Sequence, residues 1–260
     1  MDKLPYPNIL FDLYGTLVDI RTDEDRPEAW AALARFYSYY GARYTPQALR
    51  AAYLAEVDRQ TAGRQSLRRD SHEAHPEIEL AGVFRALFRA GGIEADQTLA
   101  VHAGQFFRVL TTDYLRLYDG VPAMLAALRA KGAKLYLVSN AQAIFTACEM
   151  RALGLEGAFD AVYLSSDYGC KKPDLRFFRL PLEEHRLDPA RTIMVGNDPV
   201  CDAAGAKAAG LAALYVRSNL SPDGPPPDAD FVLPEMDIPR MTAILTGQPV
   251  SPSRPARPGR

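Results

Sequence analysis

The stretch NILFDLYGTL, residues 8–17, decides the fold of this chain. Its first half, Asn8–Asp12, is a short apolar run that ends in a carboxylate, and Gly15 follows closely. Such a run predicts a buried strand with Asp12 at its carboxyl end. The glycine predicts a tight turn that aims backbone N–H groups at an anion. Asp12 is therefore a candidate nucleophile, and the alternative is a plain strand-to-loop turn with an Asp cap.

Further apolar runs predict the rest of the sheet, and helical patterns separate them. The predicted strands are Lys134–Val138, Ala161–Leu164, Thr192–Val195 and Ala212–Val216, with an edge strand at Phe231–Leu233. The predicted helices are Ala123–Lys131, Ile144–Leu153, Leu175–His185 and Asp202–Ala209. Strands that alternate with helices imply βαβ units. We therefore predict an α/β fold with a doubly wound parallel sheet, whose ligands bind at the carboxyl ends of the strands.

Residues 19–118 have a different pattern, in which we find no convincing strand. They predict amphipathic helices at Pro27–Tyr40, Pro46–Gln60, Glu79–Ala90 and Thr98–Leu117. A polar stretch, Thr61–Pro76, predicts a loop between them. A helical insertion directly after the first strand predicts a cap over the active end of the sheet.

The predicted domains follow from these patterns. We expect a core domain of residues 1–18 and 119–246 and a helical cap domain of residues 19–118. The tail, residues 247–260, holds four prolines and three arginines with almost no apolar content, which predicts disorder.

Composition limits the partners and the setting. The chain has 260 residues, 48% of them hydrophobic, and a net charge of -2, so bulk charge gives no reason to expect nucleic acid or a membrane as partner. No apolar run approaches the ~20 residues that span a bilayer, and the N-terminus does not resemble a signal peptide. The three cysteines, Cys148, Cys170 and Cys201, match no zinc spacing and favour a reduced, cytoplasmic setting. Cys170 and Cys201 lie beside polar motifs, so each is either a reactive thiol or, as we favour, a small buried side chain.

Two polar motifs follow the middle of the chain. Ser139 and Asn140 come directly after a predicted strand, where a hydroxyl can donate to a phosphate oxygen, although both residue types are common helix N-caps. Lys171 and Lys172 precede Pro173, which predicts a helix start. Because the helix dipole repels a cation at that place, an anion site would explain the lysine; a solvated surface lysine is the alternative.

A fourth motif, Asn197-Asp198, follows the strand Thr192–Val195, and Asp202 lies four residues further on. Carboxylates at a strand end suit a hard cation with oxygen ligands, such as magnesium.

The order Asp12, Ser139, Lys172, Asp198 resembles the four-motif signature of the haloacid dehalogenase (HAD) superfamily. The helical insertion between the first two motifs resembles the C1-type cap of its subfamily I. The resemblance implies a Rossmann-like HAD core with an inserted helical cap. It covers the core and the location of the cap.

In the phosphatases of this superfamily, the first aspartate of the first motif attacks phosphorus and forms an aspartyl-phosphate, so the resemblance gives that role to Asp12. Lys172 would neutralise Asp12 against the charge of the phosphate. The resemblance implies that the substrate is a small phosphorylated molecule and that the following residues bind it: Tyr14, Gly15, Thr16, Ser139 and Asn140.

The resemblance also implies Mg2+ as the cofactor. Asp12, Asp198 and the backbone carbonyl of Tyr14 would hold the ion. Asn197 and Asp202 would act from behind these ligands, Asp202 through water or Lys172.

Tyr14 departs from the phosphatase pattern, because those enzymes carry a second aspartate there that protonates the leaving group. A tyrosine at this place is a feature of 2-haloacid dehalogenases, which use no metal. Against dehalogenation, Asp198 is present, Phe178 stands where dehalogenases have a tyrosine, and the residues 30–40 lack their cap-arginine context. We therefore predict a phosphatase, with a dehalogenase-like hydrolase and a phosphate-binding pseudo-enzyme as alternatives.

Substrate identity and oligomeric state are not readable from the sequence. In the cap, Arg108 is either a second contact for an anionic substrate or, as we favour, an exposed helix arginine.

Overall fold

The computed structural model describes residues 4–65 and 75–249. Its strands are β1 (Asn8–Phe11), β2 (Val18–Thr22), β3 (Thr112–Leu117), β4 (Lys134–Ser139), β5 (Ala161–Leu164), β6 (Thr192–Gly196), β7 (Ala212–Val216) and β8 (Phe231–Leu233). Its helices are α1 (Pro27–Tyr39), α2 (Pro46–Gln65), α3 (Leu80–Ala90), α4 (Gln97–Thr111), α5 (Val121–Ala130), α6 (Ala143–Ala152), α7 (Ser165–Tyr168), α8 (Leu175–Glu184), α9 (Gly205–Ala208) and α10 (Ile238–Thr246). A 3₁₀ turn, Pro189–Arg191, and a π-helical turn, Pro199–Ala204, complete the elements.

Six strands form one sheet in the order β5-β4-β1-β6-β7-β8, and each pairs with its neighbour in parallel. Alternate residues of a strand face opposite sides of the sheet. On β1, Ile9 and Phe11 pack in one apolar cluster with α5 and α10, whereas Leu10 packs in another with α8 and α9. Both faces of the sheet are therefore covered, which confirms the predicted doubly wound α/β fold.

The second sheet corrects one prediction. β2 and β3 form an antiparallel pair, so the expectation of no strand between residues 19 and 118 is wrong, and the predicted helix Thr98–Leu117 ends early. The hydroxyls of Thr111 and Thr112 donate to the carbonyls of Phe107 and Arg108, at 3.0 and 2.6 Å. The bond to Arg108 satisfies a carbonyl group that the last turn of α4 leaves open, and the chain then continues as a strand.

Two further predictions fall partly outside the described residues. Helix α2 continues to Gln65, into the predicted loop Thr61–Pro76, while residues 66–74 lie outside the described part. At the other end, Gly247 ends α10 in the left-handed conformation (φ 70°). The predicted disordered tail beyond residue 249 lies outside the described residues as well.

Helices α1–α4, the cap helices, share an apolar cluster that includes Trp30, Tyr37 and Phe84. Ile144 and Phe145 of α6 belong to the same cluster, so the cap helices pack on a core helix that begins just past the carboxyl end of β4. The division into domains at residues 18 and 118 stays a prediction. In the described parts of the chain, no helix has both the length and the hydropathy of a membrane span.

Gln142, at the N-terminus of α6, also joins the cap helices to the core. Its side-chain amide donates to the carbonyl of Ile78 and accepts from the amide of Leu80, each at 2.9 Å. Because both ends of the amide are used, the start of α3 is held in register beside the carboxyl edge of the sheet.

Candidate active site

The carboxyl ends of β1, β4 and β6 meet at one edge of the sheet and border a cavity of about 260 Å³. Parallel strands bring their ends together in this way, which is why residues far apart in the sequence become neighbours. The cavity is lined by Asp12, Tyr14, Ser139, Asn140, Lys172, Asn197, Asp198, Cys201, Asp202 and Leu220. Eight of the ten predicted site residues are in this set; Gly15 and Thr16 are not.

Lys172 is the centre of the site. Its side chain is only 2% exposed, and its Nζ donates to Asp12 Oδ1 at 2.8 Å, to Asp202 Oδ1 at 2.7 Å and to the carbonyl of Val138 at 2.8 Å. All three hydrogens of the ammonium are thereby used. We call Asp12, Lys172 and Asp202 the Lys172 cluster.

Burial disfavours the charged form of Lys172, but the two carboxylates outweigh that effect and raise its pKa above the usual value. Burial also raises the pKa of Asp202, to about 6, while Lys172 opposes the rise. By formal charge the cluster holds two carboxylates and one ammonium. This leaves a formal surplus of one negative charge.

The two oxygens of Asp12 differ in their hydrogen bonds. Oδ1 accepts from Lys172 Nζ and from Ser139 Oγ, at 2.8 and 3.0 Å. Oδ2 has one contact among the described residues, a 3.4 Å approach from Thr16 Oγ1, which also lies 3.3 Å from Asn197 Oδ1. Both contacts are longer than an ordinary O–H···O bond. Oδ2 is therefore the more available oxygen of the nucleophile candidate.

Two glycines are required by the packing at these strand ends. Gly15 has φ +82°, and a Cβ there would lie 2.4 Å from the amide of Asn197. A Cβ on Gly196 would lie 2.2 Å from the carboxylate of Asp202. Since neither position has room for a side chain, Asn197 and Asp202 can lie directly against the backbone of the motifs.

Asn140 is used on the protein backbone. Its Nδ2 donates to the carbonyl of Lys172 at 2.9 Å, and its Oδ1 accepts from the amide of Lys172 at 2.8 Å. The peptide bond between Lys172 and Pro173 is cis. Asn140 thus fixes the backbone of the lysine, and its predicted contact with substrate stays a prediction.

Asp198 caps the π-helical turn: its Oδ1 accepts from the amides of Val200 and Cys201, at 2.8 and 2.7 Å. Its own amide donates to Asp202 Oδ2 at 2.9 Å. Among the described residues, no N–H group donates to the other oxygen of Asp198, and the further donor to this carboxylate is the weak thiol of Cys201. Asp198 therefore keeps one carboxylate oxygen for a ligand of the cavity.

These residues suit a magnesium ion by the chemistry of their donors. Within the described residues, no set of three or more His, Cys, Asp or Glu side chains is arranged to hold a metal. Magnesium does not require one, because proteins bind it through one or two carboxylates and complete its shell with water and substrate phosphates. Asp12, Asp198 and Asp202 against the single ammonium of Lys172 give the cavity a formal surplus of two negative charges, which a divalent cation would balance.

The three cysteines are free thiols. Cys170 is buried, and burial raises its pKa. Burial together with Asp198 and Asp202 raises the pKa of Cys201 to about 12. Because the thiolate is the reactive form, neither environment activates a nucleophilic thiol.

The hydroxyl of Tyr14 makes its hydrogen bonds outside the cavity, which the sequence did not reveal. Its hydroxyl donates a hydrogen bond to Glu149 Oε2 and lies 3.0 Å from Thr146 Oγ1, and neither partner lines the cavity. Burial and the carboxylate of Glu149 raise the pKa of Tyr14 well above its usual value. The phenol is therefore a poor acid toward a leaving group in the cavity.

Arg108 of α4 holds the same carboxylate from the cap side. Its Nε donates to Glu149 Oε1 at 2.6 Å, and its guanidinium lies over the rings of Tyr14 and Phe145. Its side chain is only 16% exposed, so the expectation of an exposed helix arginine is wrong. We call Tyr14, Arg108 and Glu149 the Glu149 cluster. No sequence motif marks Glu149, nor Leu220 in the cavity wall.

The fold and this site place the chain among hydrolases with a nucleophile candidate at the end of the first strand. The chain belongs to the haloacid dehalogenase-like hydrolase family, whose model matches residues 6–210. This confirms the resemblance to the HAD superfamily, while the subfamily and the C1 type of the cap stay predictions.

Individual relatives agree with that assignment. The mouse haloacid dehalogenase-like hydrolase domain-containing protein 3 is 27% identical over 252 residues, which cover 94% of this chain and 96% of that protein. A phosphoserine phosphatase from Thermus thermophilus is 35% identical over 150 residues, 57% of this chain and 59% of that enzyme. A solved 2-haloacid dehalogenase from Pseudomonas syringae pv. Tomato covers 94% of this chain and 98% of its own, with a TM-score of 0.62 and 22% identity, a likeness of fold alone.

Proposed function

We propose that this hydrolase is a magnesium-dependent phosphatase of small organic phosphates, a phosphoric monoester hydrolase that works through an aspartyl-phosphate on Asp12. The observation that carries the proposal is Lys172, fully enclosed and bonded to both Asp12 and Asp202. A carboxylate that attacks an anionic phosphate is repelled unless cations screen it. Lys172 supplies a permanent part of that screening, and the similarity to a phosphoserine phosphatase supports the same chemistry.

In the proposed first step, Asp12 Oδ2 attacks phosphorus and the bond from phosphorus to the leaving oxygen breaks. Ser139 Oγ, which donates to Asp12 in the structure, would turn to a phosphate oxygen. The leaving oxygen takes up its proton from solvent, since the phenol of Tyr14 is bonded to Glu149. Water then hydrolyses the acyl phosphate, which regenerates Asp12 and releases inorganic phosphate.

Asp12, Asp198 and the backbone carbonyl of Tyr14 would hold the magnesium ion, with Asn197 and Asp202 behind them. A bound magnesium ion would supply positive charge that offsets the charge of the phosphate. The negative surplus of the cavity supports a divalent cation there. Three free thiols in the chain support a reducing, cytoplasmic setting.

A 2-haloacid dehalogenase is the second candidate, and Tyr14 is the observation that favours it. Halide leaves without a proton, so an acid is dispensable. Against this candidate, Asp198 lines the cavity with an oxygen free for a cation, and dehalogenases of the superfamily use no metal.

The test measures phosphate release from p-nitrophenyl phosphate and a panel of metabolite phosphates, with magnesium and with a chelator. We expect release that depends on magnesium. Halide release from 2-haloacids without magnesium would favour the second candidate. Neither product, from protein that binds inorganic phosphate, would instead favour a phosphate-binding pseudo-enzyme.

A further inference from the structure

Tyr14 lies two residues after the proposed nucleophile, and its hydroxyl is held by Glu149, which is paired in turn with Arg108 of the cap helices. Glu149 accepts from Tyr14 with one oxygen and from Arg108 with the other. Both oxygens of the carboxylate are thus used. The bond from Arg108 fixes the orientation of the carboxylate, and this orientation places the other oxygen for the hydroxyl of Tyr14. Arg108 is part of α4, Glu149 of α6, and Tyr14 of the loop after β1.

Arg108 makes this bond from a partly buried position. Its guanidinium carbon lies 5.8 Å from the centroid of the Tyr14 ring and 5.2 Å from that of Phe145. The arginine therefore contacts both the ring of Tyr14 and the carboxylate that holds its hydroxyl. Loss of Arg108 would leave a buried carboxylate unpaired and would free the ring on one face.

Two members of the Glu149 cluster, Arg108 and Glu149, lie outside the cavity of the reacting atoms. Neither Arg108 nor Glu149 lines the cavity of Asp12, whereas both line a separate cavity of about 610 Å³ between α4, β3 and α6. An effect of these residues on chemistry would thus have to pass through Tyr14, the one member that lines the cavity of Asp12.

We propose that Arg108 and Glu149 are positioning residues that hold the Tyr14 side chain as a fixed wall of the catalytic cavity. This inference rests on the proposed phosphatase function. Because the phenol of Tyr14 is bonded away from the reacting atoms, the site favours phosphates whose leaving group departs without protonation. Aryl and acyl phosphates are the substrate class with this property. Arg108 of the cap helices thereby positions the loop after β1 through the hydrogen bonds from Arg108 to Glu149 and from Tyr14 to Glu149, and not through contact with substrate.

The kinetic test is a double-mutant cycle with p-nitrophenyl phosphate and magnesium. We expect Glu149→Gln and Arg108→Gln each to lower kcat by about tenfold, within the range of coupling in buried networks, with KM little changed. In a Tyr14→Phe background, which has no hydroxyl to hold, Glu149→Gln should change kcat by less than about twofold. Arg108→Gln should lose less activity there than in the parent, since only its contact with the ring remains. Arg108→Lys, which can still pair with Glu149, should recover part of the rate.

Arg151 and Glu156 provide matched controls, since they form an Arg–Glu pair at 2.9 Å at the end of the same helix, with both side chains more than 60% exposed. Arg151→Gln and Glu156→Gln should leave kcat unchanged. Equal losses in the parent and in the Tyr14→Phe background would overturn the proposal. So would a rise in KM at constant kcat for Arg108→Gln, because that result would mean direct substrate contact.

A measurement without substrate separates this inference from the proposed function. A phenolic proton in a buried bond to a carboxylate should give a downfield, slowly exchanging NMR resonance. It should disappear in Tyr14→Phe and shift in both Glu149→Gln and Arg108→Gln. If the parent releases no phosphate but the resonance responds to both substitutions, the phosphatase proposal fails, whereas the positioning of Tyr14 by Arg108 and Glu149 is supported. A resonance that does not shift in Arg108→Gln would overturn this positioning role, whatever the activity.

Discussion

The Lys172 cluster and the Glu149 cluster both rest on enclosed charges, but their charge balance differs. In the first, one ammonium serves two carboxylates, and Asp198 adds a third to the same cavity. In the second, one guanidinium serves one carboxylate, and the third member is a neutral phenol. The first is left with negative charge that a cation and a phosphate-bearing substrate can use, whereas the second is neutral and complete.

This difference separates a reactive site from a supporting one. A carboxylate with an available oxygen, such as Asp12 or Asp198, still has a bond to make. Glu149 has no available oxygen and can act only by holding its partners. Substitutions in the Lys172 cluster should therefore remove chemistry, and those in the Glu149 cluster should only modulate it.

The largest effect is expected for Asp12→Asn. The amide keeps the shape of the carboxylate but cannot form an acyl phosphate, so turnover should fall by at least about 10³-fold. Phosphate release measures the loss, and circular dichroism checks the fold. Asp119→Asn, which removes an exposed carboxylate at the start of α5, is the matched control and should keep full activity. An Asp12→Asn rate within tenfold of the parent would contradict the nucleophile assignment.

Lys172→Met should remove most activity and also destabilise the fold, because it leaves Asp12 and Asp202 buried without a cation. Breaking such a pair costs about 3–5 kcal/mol. Lys171→Ala is the control: Lys171 is 41% exposed and 3.8 Å from Glu77, so its loss should have little effect on rate. A larger rate loss at Lys171 would show that the catalytic cation had been assigned one residue too late.

The same variant gives a pH dependence of known sign. Burial already raises the pKa of Asp202 to about 6 with Lys172 in place, and without the ammonium it should rise further. A carboxyl whose pKa is higher in the folded than in the unfolded state stabilises the fold at low pH, and that stability is lost as pH rises through the folded-state pKa. Thermal melts without metal should therefore show the parent and Lys172→Met closer in Tm at pH 5 than at pH 8.

The Lys172 cluster could be predicted because Asp12 ends β1 and Asp202 follows β6, and parallel strands bring such ends together whatever lies between them. Lys172 lies further from its strand, and the resemblance to the four-motif signature placed it in the site. Asp12, Lys172 and Asp202 could be placed without knowledge of any side-chain contact. The Glu149 cluster could not, because Arg108 and Glu149 lie within helices, where position along the sequence does not reveal the facing partner. The strand Thr112–Leu117 was missed for a related reason: its pairing with Val18–Thr22 spans the whole helical insertion.

Asp198→Asn should weaken magnesium binding by at least about tenfold, while keeping a side-chain oxygen for the amides of Val200 and Cys201. Asp188 offers a matched control, since it caps the 3₁₀ turn before β6 in the same way, through a 3.0 Å bond from Ala190, but faces solvent. Calorimetry with magnesium chloride measures the affinity of Asp198→Asn and of the control Asp188→Asn, which should bind magnesium like the parent. Unchanged affinity in Asp198→Asn would place the metal elsewhere and remove the main support for the phosphatase over the dehalogenase.

The smallest expected effect is on a ratio of two rates. It tests whether the Glu149 cluster, by binding the phenol of Tyr14, leaves the Lys172 cluster without a general acid. A positioned general acid contributes about 10²–10⁴-fold, and the phenol of Tyr14 is bonded away from the cavity. The parent should therefore hydrolyse p-nitrophenyl phosphate far faster than glycerol 2-phosphate, whose alkoxide needs a proton. Tyr14→Asp should raise the alkyl rate relative to the aryl rate by about tenfold.

The hydrogen bond between Tyr14 and Glu149 also affects the outcome expected for Tyr14→Asp. The Tyr14→Asp substitution would leave Glu149 without its phenolic donor and would place a second carboxylate beside it, so repulsion opposes the gain. Adding Glu149→Gln removes that repulsion and should increase the alkyl-to-aryl ratio further. Tyr14→Phe, which lacks both hydroxyl and carboxylate, should keep the parent's ratio. If the parent hydrolyses both substrates equally well and Tyr14→Asp changes nothing, another residue protonates the leaving group, and the separation of the two clusters does not limit the chemistry.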